Sequence, residues 1–146
     1  MEDKKVKKEM VTFASGKQMT KKTWIMAGLR RMSYRWPPKN EAERAARVDR
    51  GLYKCATCEG TFKAGQYAID HINPVVAIKE GFTTWDEIID TLFCDKNGFQ
   101  ILCHDCHSIK TDIEDKLRAS YNAKRKEEAK LLKKEQKVLD KAKKKR

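Results

Sequence analysis

Two Cys-x2-Cys pairs, Cys55/Cys58 and Cys103/Cys106, constrain this chain more than any other feature. Two knuckles of identical spacing supply four sulfurs, enough to hold one tetrahedral zinc. Such a clasp closes a loop over the 44 residues between Cys58 and Cys103. A zinc with four cysteine ligands has no open coordination position, so its role is structural. Asp70-His71 lies inside the loop, and His107 follows Cys106 directly. The clasp therefore draws a carboxylate and two imidazoles toward one another, a donor set suited to a second, catalytic cation.

The composition explains why a clasp is needed. The chain has 146 residues, 37% of them charged, and a mean hydropathy of -0.79. That is one domain with appendages and little apolar material for a core, the setting in which a metal or disulfides commonly supply the missing stability. The formal net charge is +12. A polyanionic partner, nucleic acid, is the expected consequence; tails that merely keep the protein soluble are the alternative. Met1 to Lys22 is mostly polar and basic, unlike a signal peptide. No run approaches the length of a membrane span. An intracellular, reducing compartment is expected, where paired cysteines favour metal over disulfides. Cys94, the fifth cysteine, follows Leu92-Phe93 and reads as a buried, inert thiol.

Along the chain, residues 1–22 read as a basic, mobile lead with Lys4, Lys5, Lys7 and Lys8. Residues 23–51 read as an Arg-rich helical segment. Thr23 is expected to cap a first helix carrying Trp24, Ala27, Gly28 and Met32 on one side, with Arg30, Arg31 and Arg35 as added charge. Pro37-Pro38 is expected to end it. A second helix is expected from about Glu41 to Arg50, with Asn40 as N-cap and Gly51 as stop. Its arginines are either a solvated face or DNA contacts. Trp24, Tyr34 and Trp36 read as core residues rather than stacking platforms. Leu52–Cys55 reads as a strand, and Thr61–Asp70 as a hairpin turning near Ala64-Gly65. Thr84-x-x-Glu87 is a capping box ahead of Trp85, Ile88, Ile89 and Leu92. Asp95–Gly98 is a turn, Phe99–Leu102 an apolar approach to the second knuckle. A helix then begins near Cys106, with Thr111 able to cap a fresh one. Residues 118–146 hold thirteen Lys/Arg against four Asp/Glu, with an apolar stripe of Leu131, Leu132, Val138, Leu139 and Ala142 too short for a coiled coil. This tail reads as a basic helix that frays in isolation. There is no internal repeat.

These motifs resemble the HNH endonuclease family, the ββα-metal nucleases. The matching text is Cys55-x2-Cys58, Asp70-His71-Ile72-x-Pro74, and Phe99-Gln100-Ile101-Leu102-Cys103-x2-Cys106-His107-x2-Lys110-Thr111. Phage-encoded members look similar further out, around Leu29 to Trp36, Gly51 to Cys55, Gly81-Phe82-x2-Trp85 and Leu92-Phe93-Cys94. About two thirds of the chain is covered; the lead and the lysine tail are not.

The resemblance implies an α+β fold: a small zinc-stabilised ββα core over residues 52–117, flanked by N-terminal helices and a basic C-terminal helix. It implies that Asp70 and His107 bind one divalent cation, Mg2+ or Mn2+. It implies that His71 is the general base and that the four cysteines hold Zn2+. Phosphodiester hydrolysis would leave 5′-phosphate and 3′-hydroxyl ends. Members of the family carry an asparagine that orients the general-base imidazole. That position falls on Gly98 here, with Asn97 one residue early. Either Asn97 fills the role through the turn, or a backbone carbonyl does; otherwise the enzyme is impaired. Histidine titrates near pH 6.5, so a neutral His71 can accept a proton at physiological pH. Help of that kind is worth about 10²–10⁴-fold. Double-stranded DNA is the expected partner, gripped through phosphates by Arg30, Arg31, Arg35 and Lys110; Lys110 also reads as a solvated helix residue. His104, between the paired cysteines, faces solvent or phosphate. Two rivals stand beside the nuclease. One is a zinc-stabilised nucleic-acid-binding module without catalysis. The other is an accessory subunit of a phage DNA-packaging assembly, docked to a protein through its C-terminal helix.

Overall fold

The computed structural model describes residues 10–143. Lys4, Lys5, Lys7 and Lys8 of the basic lead lie outside the described residues. From Met10 the chain forms a hairpin, β1 (Met10–Thr12) and β2 (Gln18–Thr20), with Met10 opposite Thr20. This hairpin runs straight into α1 (Lys21–Ser33). The cap of α1 is Thr20 and not Thr23: its hydroxyl accepts the Thr23 N–H at 3.2 Å. Extended backbone at Thr20 and a hydroxyl within reach of an orphan N–H meet the requirements of a cap, so the helix starts earlier than expected.

Pro37-Pro38 opens a helix instead of closing one. α2 spans Pro37–Ala45, with proline in its first turn, where no N–H is required and the fixed φ already suits the helix. Asn40 therefore lies inside α2 and caps nothing. The helix also ends early, because residues 47–49 form a strand, β3 (Arg47–Asp49), antiparallel to β4 (Leu52–Lys54). Gly51, at φ 72°, closes the turn between them and is not a helix stop.

The expected hairpin over Thr61–Asp70 does not pair with itself. β5 (Thr61–Lys63) pairs with β4, while β6 (Tyr67–His71) pairs with β7 (Phe99–Cys103). The β6–β7 register puts Asp70 opposite Gln100 and His71 opposite Phe99. The long excursion between these strands holds α3 (Trp85–Leu92), capped as expected by Thr84, whose hydroxyl accepts the Glu87 N–H at 3.2 Å. A 3₁₀ turn at Lys96–Gly98 then leads into β7.

The core is thin. Ile88, Leu92, Leu102 and Cys55 are the largest fully buried side chains, with Phe99, Ile101 and Cys103 beside them. β7 is buried at Phe99, Ile101, Leu102 and Cys103, and its half-buried Gln100 points its amide at Asp70. Trp36 fastens the N-terminal helices to this core: its indole N–H donates to the Cys94 carbonyl at 2.7 Å, and its ring meets Phe93 edge-on.

α4 (His104–Lys143) begins two residues before Cys106 and continues for 40 residues, about 60 Å at 1.5 Å per residue. Thr111 does not cap a fresh helix, because its hydroxyl bonds back to the His107 carbonyl at 2.9 Å within the same one. The half-buried positions of α4 recur every three or four residues, from Cys106 and His107 through Lys110, Glu114, Arg118 and Tyr121 to Arg125. That is one face laid on the body. Arg125 is its last anchor, with the guanidinium donating to the Glu80 carbonyl. Gly81, at φ 76°, lets the loop approach this closely; a Cβ there would sit 2.6 Å from a guanidinium nitrogen. From 126 to 141 every residue is exposed. The molecule is thus mixed helix and strand, organised around a cluster of four cysteines. No helix among the described residues is long and apolar enough to cross a membrane.

Candidate functional site

The knuckles meet where β4, β7 and α4 converge. Cys55 follows β4, Cys103 ends β7, and Cys106 lies in the first turn of α4. The four ligand atoms all lie within 4.8 Å of one another, and Cys58 Sγ is 3.9 Å from Cys103 Sγ. A tetrahedron with metal–sulfur bonds of about 2.3 Å has edges of about 3.8 Å, so the set fits one zinc-sized ion. Glu59 adopts a left-handed φ of 60° to turn the first knuckle, and the Cys55 N–H closes it on the Gly60 carbonyl. Amides also point at sulfur: the Cys103 N–H at Cys55 Sγ (3.4 Å) and the Cys106 N–H at Cys103 Sγ (3.5 Å). Burial raises the Cys55 thiol, but the backbone N–H groups of Cys58, Cys103 and Thr57, with a hydrogen bond to the Cys58 side chain, outweigh it and bring Cys55 down to about 6. The thiol of Cys106 is pushed up to about 12, by its hydrogen bond with Cys103 and then by burial. Four sulfurs this close resist ionising together, and a divalent cation offsets that repulsion directly. His104 is exposed and bonds the Gly65 carbonyl at 2.8 Å, apart from the sulfur cluster.

One turn along α4 from the sulfurs is a cleft of about 680 Å³ bordered by Asp70, His71 and His107. Asp70 stands near the end of β6; His71 ends it, just before the chain bends at Ile72-Asn73, and both side chains border the cleft. Asp70 Oδ1 lies 3.8 Å from His107 Nε2. An ion about 2.1 Å from each atom bridges such a gap. The other oxygen, Oδ2, accepts from Gln100 at 3.2 Å and pairs with Lys110 Nζ at 2.9 Å. Lys110 also meets Glu114 at 2.5 Å and the His71 carbonyl at 3.1 Å. It is therefore neither a solvated helix residue nor an uncommitted phosphate contact: it bridges the two carboxylates that border the cleft.

His71 is held by main chain. Its Nε2 lies 3.1 Å from the Leu92 carbonyl, and its ring packs on Phe99 at 4.7 Å. A carbonyl only accepts, so Nε2 carries the proton and the lone pair of the neutral ring is on Nδ1. Burial pulls His71 below its ordinary pKa, against the opposing pull of the Leu92 bond, and Lys39 adds to the lowering. Asn97 does not reach this imidazole. It is exposed in the 3₁₀ turn and borders a different hollow with Ile72 and Lys96. Position 98 has no room for a side chain, since a Cβ there would sit 2.4 Å from Cys94 Sγ. Cys94 is half-buried, and burial raises its thiol.

Of the four cations expected to grip phosphate, Arg30 and Lys110 border the cleft; Arg31 and Arg35 are exposed and do not. Lys39, Glu114 and Arg118 border it without having been anticipated. Glu114 and Arg118 stand four and eight residues past Lys110, a spacing that marks one face once α4 is known to be continuous. Lys39 carried no such signal. Trp36 is half-buried as expected, whereas Trp24 is 58% and Tyr34 70% exposed, which corrects their reading as core. No family model, no curated protein and no solved structure matches the chain.

Proposed function

We propose that the chain is a metal-dependent DNA endonuclease of HNH type, with β6, β7 and α4 as its ββα core and a structural zinc on Cys55, Cys58, Cys103 and Cys106. The observation that carries this reading is the convergence of Asp70, His71 and His107 on one cleft, with Asp70 Oδ1 3.8 Å from His107 Nε2. Asp70 and His107 would hold Mg2+ or Mn2+, which when bound stabilises charge on the scissile phosphate and the departing 3′ oxygen. His71 takes a proton from the attacking water at Nδ1, while the Leu92 carbonyl holds Nε2–H and fixes the ring. Burial supports this role by keeping the imidazole neutral. Arg30, Lys39 and Arg118 on the cleft walls hold neighbouring phosphates of duplex DNA. The clasp sets the geometry, because Cys106 and His107 are consecutive on α4 and Cys103 ends the strand paired with the one bearing Asp70.

The test is nicking of supercoiled plasmid in Mg2+ or Mn2+ by the wild type, His71→Ala and Asp70→Asn. The expected loss for His71→Ala is about 10²–10⁴-fold. Equal nicking by His71→Ala removes that residue from its role, and no cleavage by the wild type in either metal overturns the reading. One observation favours a non-catalytic DNA-binding module instead: the Lys110 ammonium already bridges Asp70 and Glu114. That reading predicts salt-sensitive binding and no metal-dependent cleavage.

A further inference from the structure

Three hollows follow one another along α1. The cleft of Asp70 shares Arg30, Tyr34 and Val76 with a second hollow of about 480 Å³. The second shares Ala27 and Arg31 with a third of about 290 Å³, which reaches Phe13 and Lys17 of the N-terminal hairpin. Trp24, Ala27, Arg31 and Tyr34 recur at three- and four-residue spacing and so share a face of α1. From Trp24 to Tyr34 is about 15 Å along the axis.

The chemistry of this path is distinctive. Residues 10–40 contain seven Lys/Arg and no Asp/Glu. Rings are interleaved with the cations: Lys39 sits over Tyr34 at 5.0 Å and Lys22 over Phe82. Tyr34 and Trp24 are two of the most exposed aromatics in the molecule. The floor between them is small, at Ala27 and Gly28, with no atom within 4 Å of where a Gly28 Cβ would stand. A helix-interior glycine costs stability, and no packing contact here accounts for it. Cations that follow phosphates, alternating with exposed rings on which bases stack, are the makeup of a groove for a single strand. A duplex keeps its bases stacked on each other and would use only the cations.

We infer that α1 and the preceding hairpin form a track for an unpaired DNA strand that leads into the cleft of Asp70, His71 and His107. The substrate of the proposed nuclease is then DNA with a single-stranded segment beside the cut. The cutting rests on the nuclease reading; the binding does not.

The test is fluorescence anisotropy of the full chain without added divalent cation. The probes are a blunt duplex, the same duplex with a single-stranded DNA tail, and the same duplex with an RNA tail. The DNA tail tightens binding about tenfold or more, and Trp24→Ala and Tyr34→Ala each remove about fivefold or more of that gain, the usual effect of losing one stacked base. Trp24→Phe retains most of it, and blunt-duplex affinity is unchanged in all three variants. Equal affinity for tailed and blunt duplex overturns the track, as does equal weakening of both by the alanines. A tighter RNA tail overturns the assignment to DNA. Plasmid nicking with no tail preference sinks the track alone; tail preference with no nicking on any substrate sinks the nuclease reading alone.

Discussion

His71 is oriented by a backbone carbonyl because Cys94 occupies the space that a side chain at position 98 would need. Gly98→Asn is therefore not a repair. It should cost about 1–3 kcal/mol through overpacking against Cys94, read as a lower urea midpoint. Adding Cys94→Ala should recover most of the loss, because the two sites touch and their effects will not add. The buried imidazole also sets a pH dependence. Its folded pKa lies below the ordinary 6.5, so the unfolded chain takes up a proton first as pH falls. The stability this contributes is whole above about 6.5 and is lost on acidification down to the folded value, by up to about 1.4 kcal/mol per pH unit. Urea midpoints should fall more steeply for the wild type than for His71→Gln as the pH is lowered from about 8 to about 5. The same residues explain what the sequence disclosed. Cys-x2-Cys, Asp70-His71 and His107 were readable because side-chain donors at fixed spacing are chemically specific. The Leu92 carbonyl was not, because every residue carries one. Lys39 follows a proline pair that fits the end of one helix as well as the start of the next, so nothing in the sequence turns it toward the cleft.

Among the elements, α1 carries the sharpest prediction. Gly28 lies in a helix interior with nothing near its missing Cβ, and its φ lies outside the left-handed range. Gly28→Ala should raise stability by about 0.5–1 kcal/mol, seen as a higher thermal midpoint. Thr20→Ala should lower it by about 1 kcal/mol by removing the hydroxyl that accepts the Thr23 N–H, while Thr23→Ala leaves that cap bond in place. Thr20 and Thr23 are locally ambiguous as caps, since either can accept an amide and only the chain's exit from β2 decides. The pairing of β6 with β7 across 27 intervening residues was less accessible still. A turn near Gly65 is visible in sequence, but which strand each arm pairs with depends on long-range closure. A metal ion held by the four cysteines would enforce that closure by tying the residue after β4 to the end of β7. α4 was readable at its start and obscured at Thr111, where a back-bonded threonine imitates a cap.

On the scale of the whole molecule, two regions should respond differently to the same perturbation. Only eight apolar side chains are buried among the described residues, and two of them are Cys55 and Cys103. So thin a core gives the clasp a large share of the stability, as in small domains whose metal-binding energy is folding energy. The distal part of α4 is the opposite case: residues 126–141 are all exposed, so its helicity rests on propensity and i,i+4 pairs rather than packing. Far-UV circular dichroism of the zinc-loaded protein should accordingly show two events on heating, a gradual loss from the distal helix and a cooperative transition from the body. A strong zinc chelator should abolish the cooperative transition and leave the gradual one. Truncation before Lys126 should do the reverse, removing the gradual slope while the stability read from the cooperative transition stays within about 0.5 kcal/mol of its value, since every residue from 126 to 141 is exposed. Residues 126–146 contain ten Lys/Arg and four Asp/Glu, half of the +12 net charge, so the truncated chain should also bind DNA more weakly and with a shallower dependence on log[salt]. A cooperative transition that survives full zinc removal would mean that the apolar core closes the β6–β7 loop unaided. A midpoint that falls on truncation would mean that distal α4 folds back on the body.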